Sequence, residues 1–333
     1  MQHTIYNTIE TPYISAVIIT FNEEQNIRRC LESLQGIVDE IVVVDSHSTD
    51  NTEDICSEFN VQFYERDFAG YSDTKNWGNE QCKHPFILSL DADEALDDEL
   101  KKSILDLKSN LERKAYVMAR KNFIGDKWLK YGGWYPDKKV RLFHKDAAQW
   151  DGKAVHESVA VNGKYATEQL AGNILHFSFS SLADHLLTIN KYSAIRVENT
   201  ITKGKSYSLF TSYVKSKFKT WKIIFIKRGF QDGPIGRKTA INSGLRHLIE
   251  YGIYKKRTSP AQESKNVCLF NTTPFWGGGE KWHFEAAKTL KSRGIPLKFL
   301  THKKGELQKK VKAEGIDIPQ IRTNNRSFLN PFK

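Results

Sequence analysis

The segment Phe86-Ile87-Leu88-Ser89-Leu90-Asp91-Ala92-Asp93-Glu94 ends an apolar run on two carboxylates one residue apart. A run of this length, preceded by Lys83-His84-Pro85, predicts a buried strand that delivers both charges at its C-terminal end. Like charges so placed repel each other, and a hard divalent cation shared with phosphate oxygens would relieve that repulsion. The plainer reading is a solvated loop that caps an acidic helix start over Glu94 to Glu99.

What surrounds the pair favours the first reading. Ile14 to Thr20 and Glu40 to Asp45 are further β-branched strands, each followed by a polar loop and a helical pattern, through Leu34 and Phe59 respectively. Val61 to Tyr64 is a short third strand, and a helix is expected from Tyr71 to Gln81. Alternation of this kind predicts an α/β fold with a mostly parallel sheet and helices on both faces. Ligands of such sheets sit beyond the strands' carboxyl ends, where Asn22, Asp45 and Asp91 all fall. A carboxylate just past a strand, as Asp45 is, suits a ribose hydroxyl or a base edge. No glycine-rich phosphate loop follows the first strand, so a diphosphate would need other counter-charge: a cation on Asp91 and Asp93, and Lys75 on the preceding helix.

The segments Val17-Ile18-Ile19-Thr20-Phe21-Asn22-Glu23, Ile41-Val42-Val43-Val44-Asp45-Ser46 with Ser48-Thr49-Asp50, Lys75-Asn76, and Leu90-Asp91-Ala92-Asp93-Glu94 together resemble the family 2 inverting glycosyltransferases of the GT-A fold. The likeness covers roughly residues 12 to 190. It implies a nucleotide-sugar site, with a UDP-sugar as donor, lined by Thr20, Asn22, Glu23, Asp45, Ser48, Asp73, Lys75 and Asp91. It also implies a divalent metal, Mg2+ or Mn2+, on Asp93 with Asp91, and His156 or His176 as a further ligand or phosphate contact. Inverting transfer needs a base set apart from the metal pair. His156-Glu157, with Gly132-Gly133-Trp134-Tyr135-Pro136-Asp137 and Arg141-Leu142-Phe143 upstream, is similar to the branch containing lipopolysaccharide core glucosyltransferases. On that likeness Glu157 is the expected base and Asp137 the alternative. The aromatic residues of Trp128 to Tyr135 suit either sugar stacking or a core.

The net charge of +11 predicts an anionic partner. Between Lys203 and Arg257 the only acids are Asp232 and Glu250, and aromatic residues from Tyr207 to Phe225 interleave with lysines. Aromatics gathered on a basic helix suit an anionic membrane surface, with the helix lying in the interface, and argue against nucleic acid. Phe230-Gln231-Asp232-Gly233 resembles a segment of the same core-glycosyltransferase branch, which implies a lipid-linked or lipopolysaccharide acceptor. No run approaches the roughly 18 apolar residues of a membrane span, and no signal-peptide pattern opens the chain. Four cysteines without paired spacing fit a reducing compartment. The expected location is cytoplasmic, peripheral on the inner face of the cytoplasmic membrane.

Four segments are expected: a GT-A domain over 12–200, a basic amphipathic helical segment over 201–257, a linker over 258–265, and a partial Rossmann-like βαβ unit over 266–333. From about residue 265 the chain resembles the start of a family 4 GT-B glycosyltransferase through Gly277-Gly278-Gly279-Glu280, with no catalytic role expected there. Two other functions remain open: a sugar nucleotidyltransferase, whose phosphate loop would carry glycine and Arg or Lys where Thr20 to Glu24 is acidic, and a non-catalytic basic module that binds membrane surfaces.

Overall fold

The computed structural model describes residues 13–152, 157–259, 267–271, 278–293, 297–301 and 306–316. The chain divides into two compact units, 1–256 and 257–333.

In the first unit β1 (Ile14–Thr20), β2 (Glu40–Asp45), β3 (Gln62–Glu65) and β4 (Phe86–Asp91) form the parallel run β3-β2-β1-β4. Between them come α1 (Ile27–Leu34), α2 (Thr52–Ser57) and α3 (Tyr71–Gln81). Alternate residues of each strand face opposite layers, as a two-residue side-chain period requires. Ala16, Ile18, Val43 and Leu90 pack with Ile27, Leu31 and Leu34 of α1, while Val17, Val42, Val44 and Ile87 pack on the opposite face. There α3 lies close, because a Cβ on Gly78 would come 2.7 Å from Val17 Cγ1.

Beyond β4 the sheet is mixed, where a mostly parallel one was expected. The remaining elements are β5 (Glu94–Leu96), α4 (Asp98–Leu107), β6 (Ala115–Ile124), β7 (Lys127–Trp128), β8 (Asp137–His144), β9 (Ala148–Asp151), β10 (Ser158–Val161) and β11 (Thr167–Phe179). β8 runs antiparallel to both β4 and β6, β11 runs parallel to β6, and β5 closes the order antiparallel to β11. Glu94 therefore belongs to a strand, and the helix begins only at Asp98, capped by Asp97, which accepts from Leu100 N at 3.0 Å. Asp97 also accepts Asn173 N at 2.8 Å, which ties α4 to β11.

After α5 (Leu182–Thr202) the basic segment forms α6 (Leu209–Trp221) and α7 (Gly233–Thr258), with a wider π-type turn at Lys222–Ile226, and belongs to this same unit through residue 256. Asp232 accepts the backbone N–H groups of Lys130 and Tyr131 at 3.1 and 2.8 Å, and Gly132 donates to the Lys227 carbonyl. Among the described residues no helix is long and apolar enough to cross a membrane. Cys30, Cys56 and Cys82 are free and buried.

In the second unit β12 (Val267–Asn271) pairs parallel with β13 (Leu297–Thr301), joined by α8 (Gly278–Ser292) and followed by α9 (Glu306–Ala313). Ala287, Leu307, Val311 and Ile316 form its core. Gly277 lies outside the described residues.

Candidate active site

Register alone brings the strand tips together. Thr20 pairs with Asp45, and Ile19 pairs with Asp91 on the other side of β1. Two strand spacings put Asp45 and Asp91 about 10 Å apart along one edge. Thr20 Oγ1, between them, is buried and makes no hydrogen bond. The loops after β1 and β2 grip each other. Asn22 and His47 adopt left-handed backbone (φ 55° and 60°), which those residue types tolerate better than most. Asn22 N donates to Ser48 Oγ at 2.7 Å, and Asn22 Oδ1 accepts Thr49 N at 2.7 Å. Asp45 accepts both Ser48 N and Ser48 Oγ, at 2.7 and 2.6 Å, so it shapes its own loop and keeps only its remaining lone pairs for a ligand. Glu23, held by Asn26 at 2.8 Å, has its pKa raised by burial and by repulsion from Asp93, Asp50 and Asp91.

The two acids of the Asp-x-Asp pair part company. Asp91 turns inward, with Lys75 Nζ 2.7 Å from one oxygen and Arg141 Nη2 2.8 Å from the other. Burial would raise its pKa, but these two cations outweigh burial and hold it far below the carboxylate range. Lys75 itself is 1% exposed and lies 4.1 Å from the Trp150 ring centre. The network continues from Arg141 to Glu94 (2.8 Å), to Arg120 (2.9 Å) and to Asp137 (2.6 Å). Three residues of the expected site take part in this network. Each oxygen of Asp91 is paired with a cation, which leaves it, like Asp45, only its remaining lone pairs for a ligand. Lys75 is spent on Asp91 rather than on a phosphate. Asp137 is paired to Arg120 and Lys139, whose charges outweigh burial and lower its pKa, the wrong direction for a general base.

Asp93 points the other way. Its Oδ2 is 3.2 Å from His176 Nε2. On the far side of that ring, Nδ1 sits 2.6 Å from Asn122 Oδ1 and 2.7 Å from Ser178 Oγ. Asn122 is oriented by donating Nδ2 to the Trp134 carbonyl at 2.9 Å, so its oxygen faces the histidine and Nδ1 must carry the proton. Nε2 is the ring atom that faces the Asp93 carboxylate. A carboxylate oxygen and an imidazole nitrogen 3.2 Å apart can share a proton, and the same two atoms fit a divalent ion completed by phosphate and water. Among the described residues no three potential ligands converge. His156 lies outside the described residues.

Asp73 is exposed on the first turn of α3. That helix also clamps β9: Asn76 exchanges hydrogen bonds with Trp150 at 3.0 Å each way, and Ser72 donates to the Asp151 carbonyl. Glu157, half-buried, follows β9 beyond the undescribed residues 153–156. Both Glu157 and Asp91 lie near enough to Tyr71 to add to the burial and the Tyr192 contact that push its phenol up to about 12. The sequence reading missed Arg141, Arg120 and Glu94. A cation inside the apolar run Val140-Arg141-Leu142-Phe143 was the available signal, since a buried guanidinium demands a carboxylate.

Residues 15–162 match the family described as glycosyl transferase family 2. The lipopolysaccharide core biosynthesis glycosyltransferase LpsC of Rhizobium meliloti is 30% identical over 204 residues, which are 58% of this chain and 73% of LpsC. An uncharacterized glycosyltransferase of Rickettsia typhi is 30% identical over 234 residues, 66% of this chain and 79% of its own. Among solved structures, S. aureus TarS 1-349 in complex with UDP superposes with a TM-score of 0.38 at 16% identity, over 75% of this chain and 93% of that one. The chain spans 54% of a longer TarS structure.

Proposed function

The chain belongs to glycosyltransferase family 2, and from that premise we propose that it moves a hexose from a UDP-sugar to a lipopolysaccharide-core or other cell-envelope glycan, with inversion in a single displacement. The observation that carries this reading is the placing of Asp93 Oδ2 3.2 Å from His176 Nε2 beside the tips of β1, β2 and β4. Asp93 and His176 would hold a divalent ion, Mg2+ or Mn2+. Such an ion offsets the charge that gathers on a leaving diphosphate. Asn22, Glu23, Ser48 and Asp73 border the nucleotide, Thr20 offers its unused hydroxyl, and Asp45 offers its remaining lone pairs to the ribose or base.

Glu157 takes the proton of the acceptor hydroxyl. As that oxygen bonds to the anomeric carbon, the bond to the diphosphate breaks, and UDP leaves from the opposite face. Asp137, committed to Arg120, serves to brace the network rather than as base. The acceptor class is supported by the 30% identity to LpsC, whose name assigns it to lipopolysaccharide core biosynthesis. An anionic bilayer, the inner face of the cytoplasmic membrane, suits the exposed row Phe210, Val214, Phe218, Trp221 and Phe225, since no acid interrupts Leu209 to Ile226. Residues beyond 265, which resemble the start of a family 4 enzyme, take no part in transfer.

The test is a transfer assay with UDP-sugars and lipopolysaccharide acceptors, comparing wild type with Glu157→Gln and Asp137→Asn. Glu157→Gln is expected to lose about 100-fold or more in rate while its UDP affinity holds, because a positioned base contributes on that scale. Wild-type turnover by Glu157→Gln would overturn the assignment.

A further inference from the structure

Between α5, α6 and α7 lies a cavity of about 290 Å3 whose wall carries Arg196, Lys219 and Arg246, one cation from each helix, together with His185, Tyr192 and Ser243. One buried carboxylate, Glu250, answers them, at 4.0 Å from Arg196 and 3.5 Å from Arg246. Glu250 is shared a third time, with His247 at 3.7 Å. Lys219 makes no ion pair among the described residues. Three cations against one carboxylate leave a surplus of positive charge inside the fold, where water does not screen it fully. The surplus is felt by its neighbours. Burial and then Arg246, Lys219, Lys215 and Arg196 push His247 down to about 4, and burial with Arg246, Lys227 and Arg196 lowers Lys219. A second, independent sign is His185, 4% exposed, whose buried Nδ1 has no hydrogen-bond partner.

The cavity is linked by two contacts to residues around the proposed acceptor base. The His185 ring packs 5.6 Å from Trp134, in the loop whose carbonyl orients Asn122, and Tyr192 contacts Tyr71, which feels the charge of Glu157. We propose that this cavity binds a phosphate-type anion on the acceptor glycan, gripping it between Lys219, Arg196 and Arg246 so that the acceptor hydroxyl is presented to Glu157. The proposal rests on the acceptor reading given above. A phospholipid headgroup offers the same chemistry, since Lys219 shares α6 with the exposed aromatic row, and the two sources are separable.

The full chain, saturated with UDP so that the nucleotide site is filled, is titrated with inorganic phosphate by calorimetry and thermal shift, as wild type, Lys219→Gln and Lys219→Arg. Saturable binding is expected in wild type, roughly tenfold weaker in Lys219→Gln and recovered in Lys219→Arg, the scale of one lost charge-assisted contact. Without phosphate, Lys219→Gln should melt at the wild-type temperature or above it, because a repelled charge has gone; a lysine with only a structural role would lower it. Equal phosphate affinity in wild type and Lys219→Gln, or no saturable phosphate binding, overturns the proposal. A parallel arm uses phosphatidylglycerol vesicles. Weakened phosphate binding in Lys219→Gln with vesicle binding intact supports the acceptor assignment, whereas loss of both assigns the site to the lipid headgroup and overturns it. If wild type does not bind UDP, the function proposed above fails by itself, and the phosphate titration is read on the nucleotide-free protein by the same criteria.

Discussion

Arg141 stands 2.8 Å from both Asp91 and Glu94 with its side chain 5% exposed, so its removal leaves Asp91 with Lys75 alone and the buried Glu94 with Arg120 alone. Breaking such a set from one side is strongly destabilising, and Arg141→Met should cost about 3–5 kcal/mol in urea denaturation. Glu23 carries the opposite sign. Its folded pKa is raised, so its charged form is held at a cost that grows as pH rises through that pKa. Glu23→Gln should therefore melt higher than wild type at neutral pH in the ligand-free protein. The gain should vanish as pH falls through the unfolded glutamate value of about 4.3, and a pH series of melting curves reads it. That stability is given up at a site where carboxylates crowd is what a nucleotide and cation site implies. That Asp45 and Asp91 end neighbouring strands was legible in the sequence. Which acid turned inward was not, because the cations that claim Asp91 come from α3 and β8, 16 and 50 residues away.

The elements explain how far local pattern could reach. β1 to β4 and α1 to α3 were readable because strand and helix periods alternate within short stretches. The antiparallel half was not, since the place of β8 between β4 and β6 is set by non-local pairing. The same holds where Asp97 and Asn173 meet, 76 residues apart, to join α4 to β11. Asp97→Ala removes a helix cap and leaves Asn173 N unsatisfied, a loss expected at about 2–3 kcal/mol. Its folded pKa is lowered by Asn173, Leu100 and Lys121 against the effect of burial. Its contribution is thus present above the unfolded aspartate value of about 3.9 and is lost as pH falls through the folded one, so wild type and Asp97→Ala should converge in strong acid. Gly172 fixes the same junction, because a Cβ there would meet the backbone of Leu100, and no side chain can be tolerated without displacing α4.

Across the molecule, the charge of +11 and the exposed row on α6 are the features on which the proposed contact with an anionic surface rests. Phe210→Ser with Trp221→Ser should weaken binding to phosphatidylglycerol vesicles, and raising ionic strength should weaken what remains. UDP affinity should not change. The sequence separated this segment from the catalytic domain, yet Asp232 and the Lys227 carbonyl hold the loop of Lys130 to Gly132, so helices and sheet form one unit through residue 256. What unites these scales is the set of polar residues at the tips of β1, β2 and β4. Calorimetric titration of UDP with and without Mn2+, in wild type and in Asp93→Ala, measures its central property. Metal-dependent binding in wild type that collapses in Asp93→Ala, with the ligand-free melting temperature unchanged, is the predicted result; metal-dependent binding of equal strength in Asp93→Ala would contradict it.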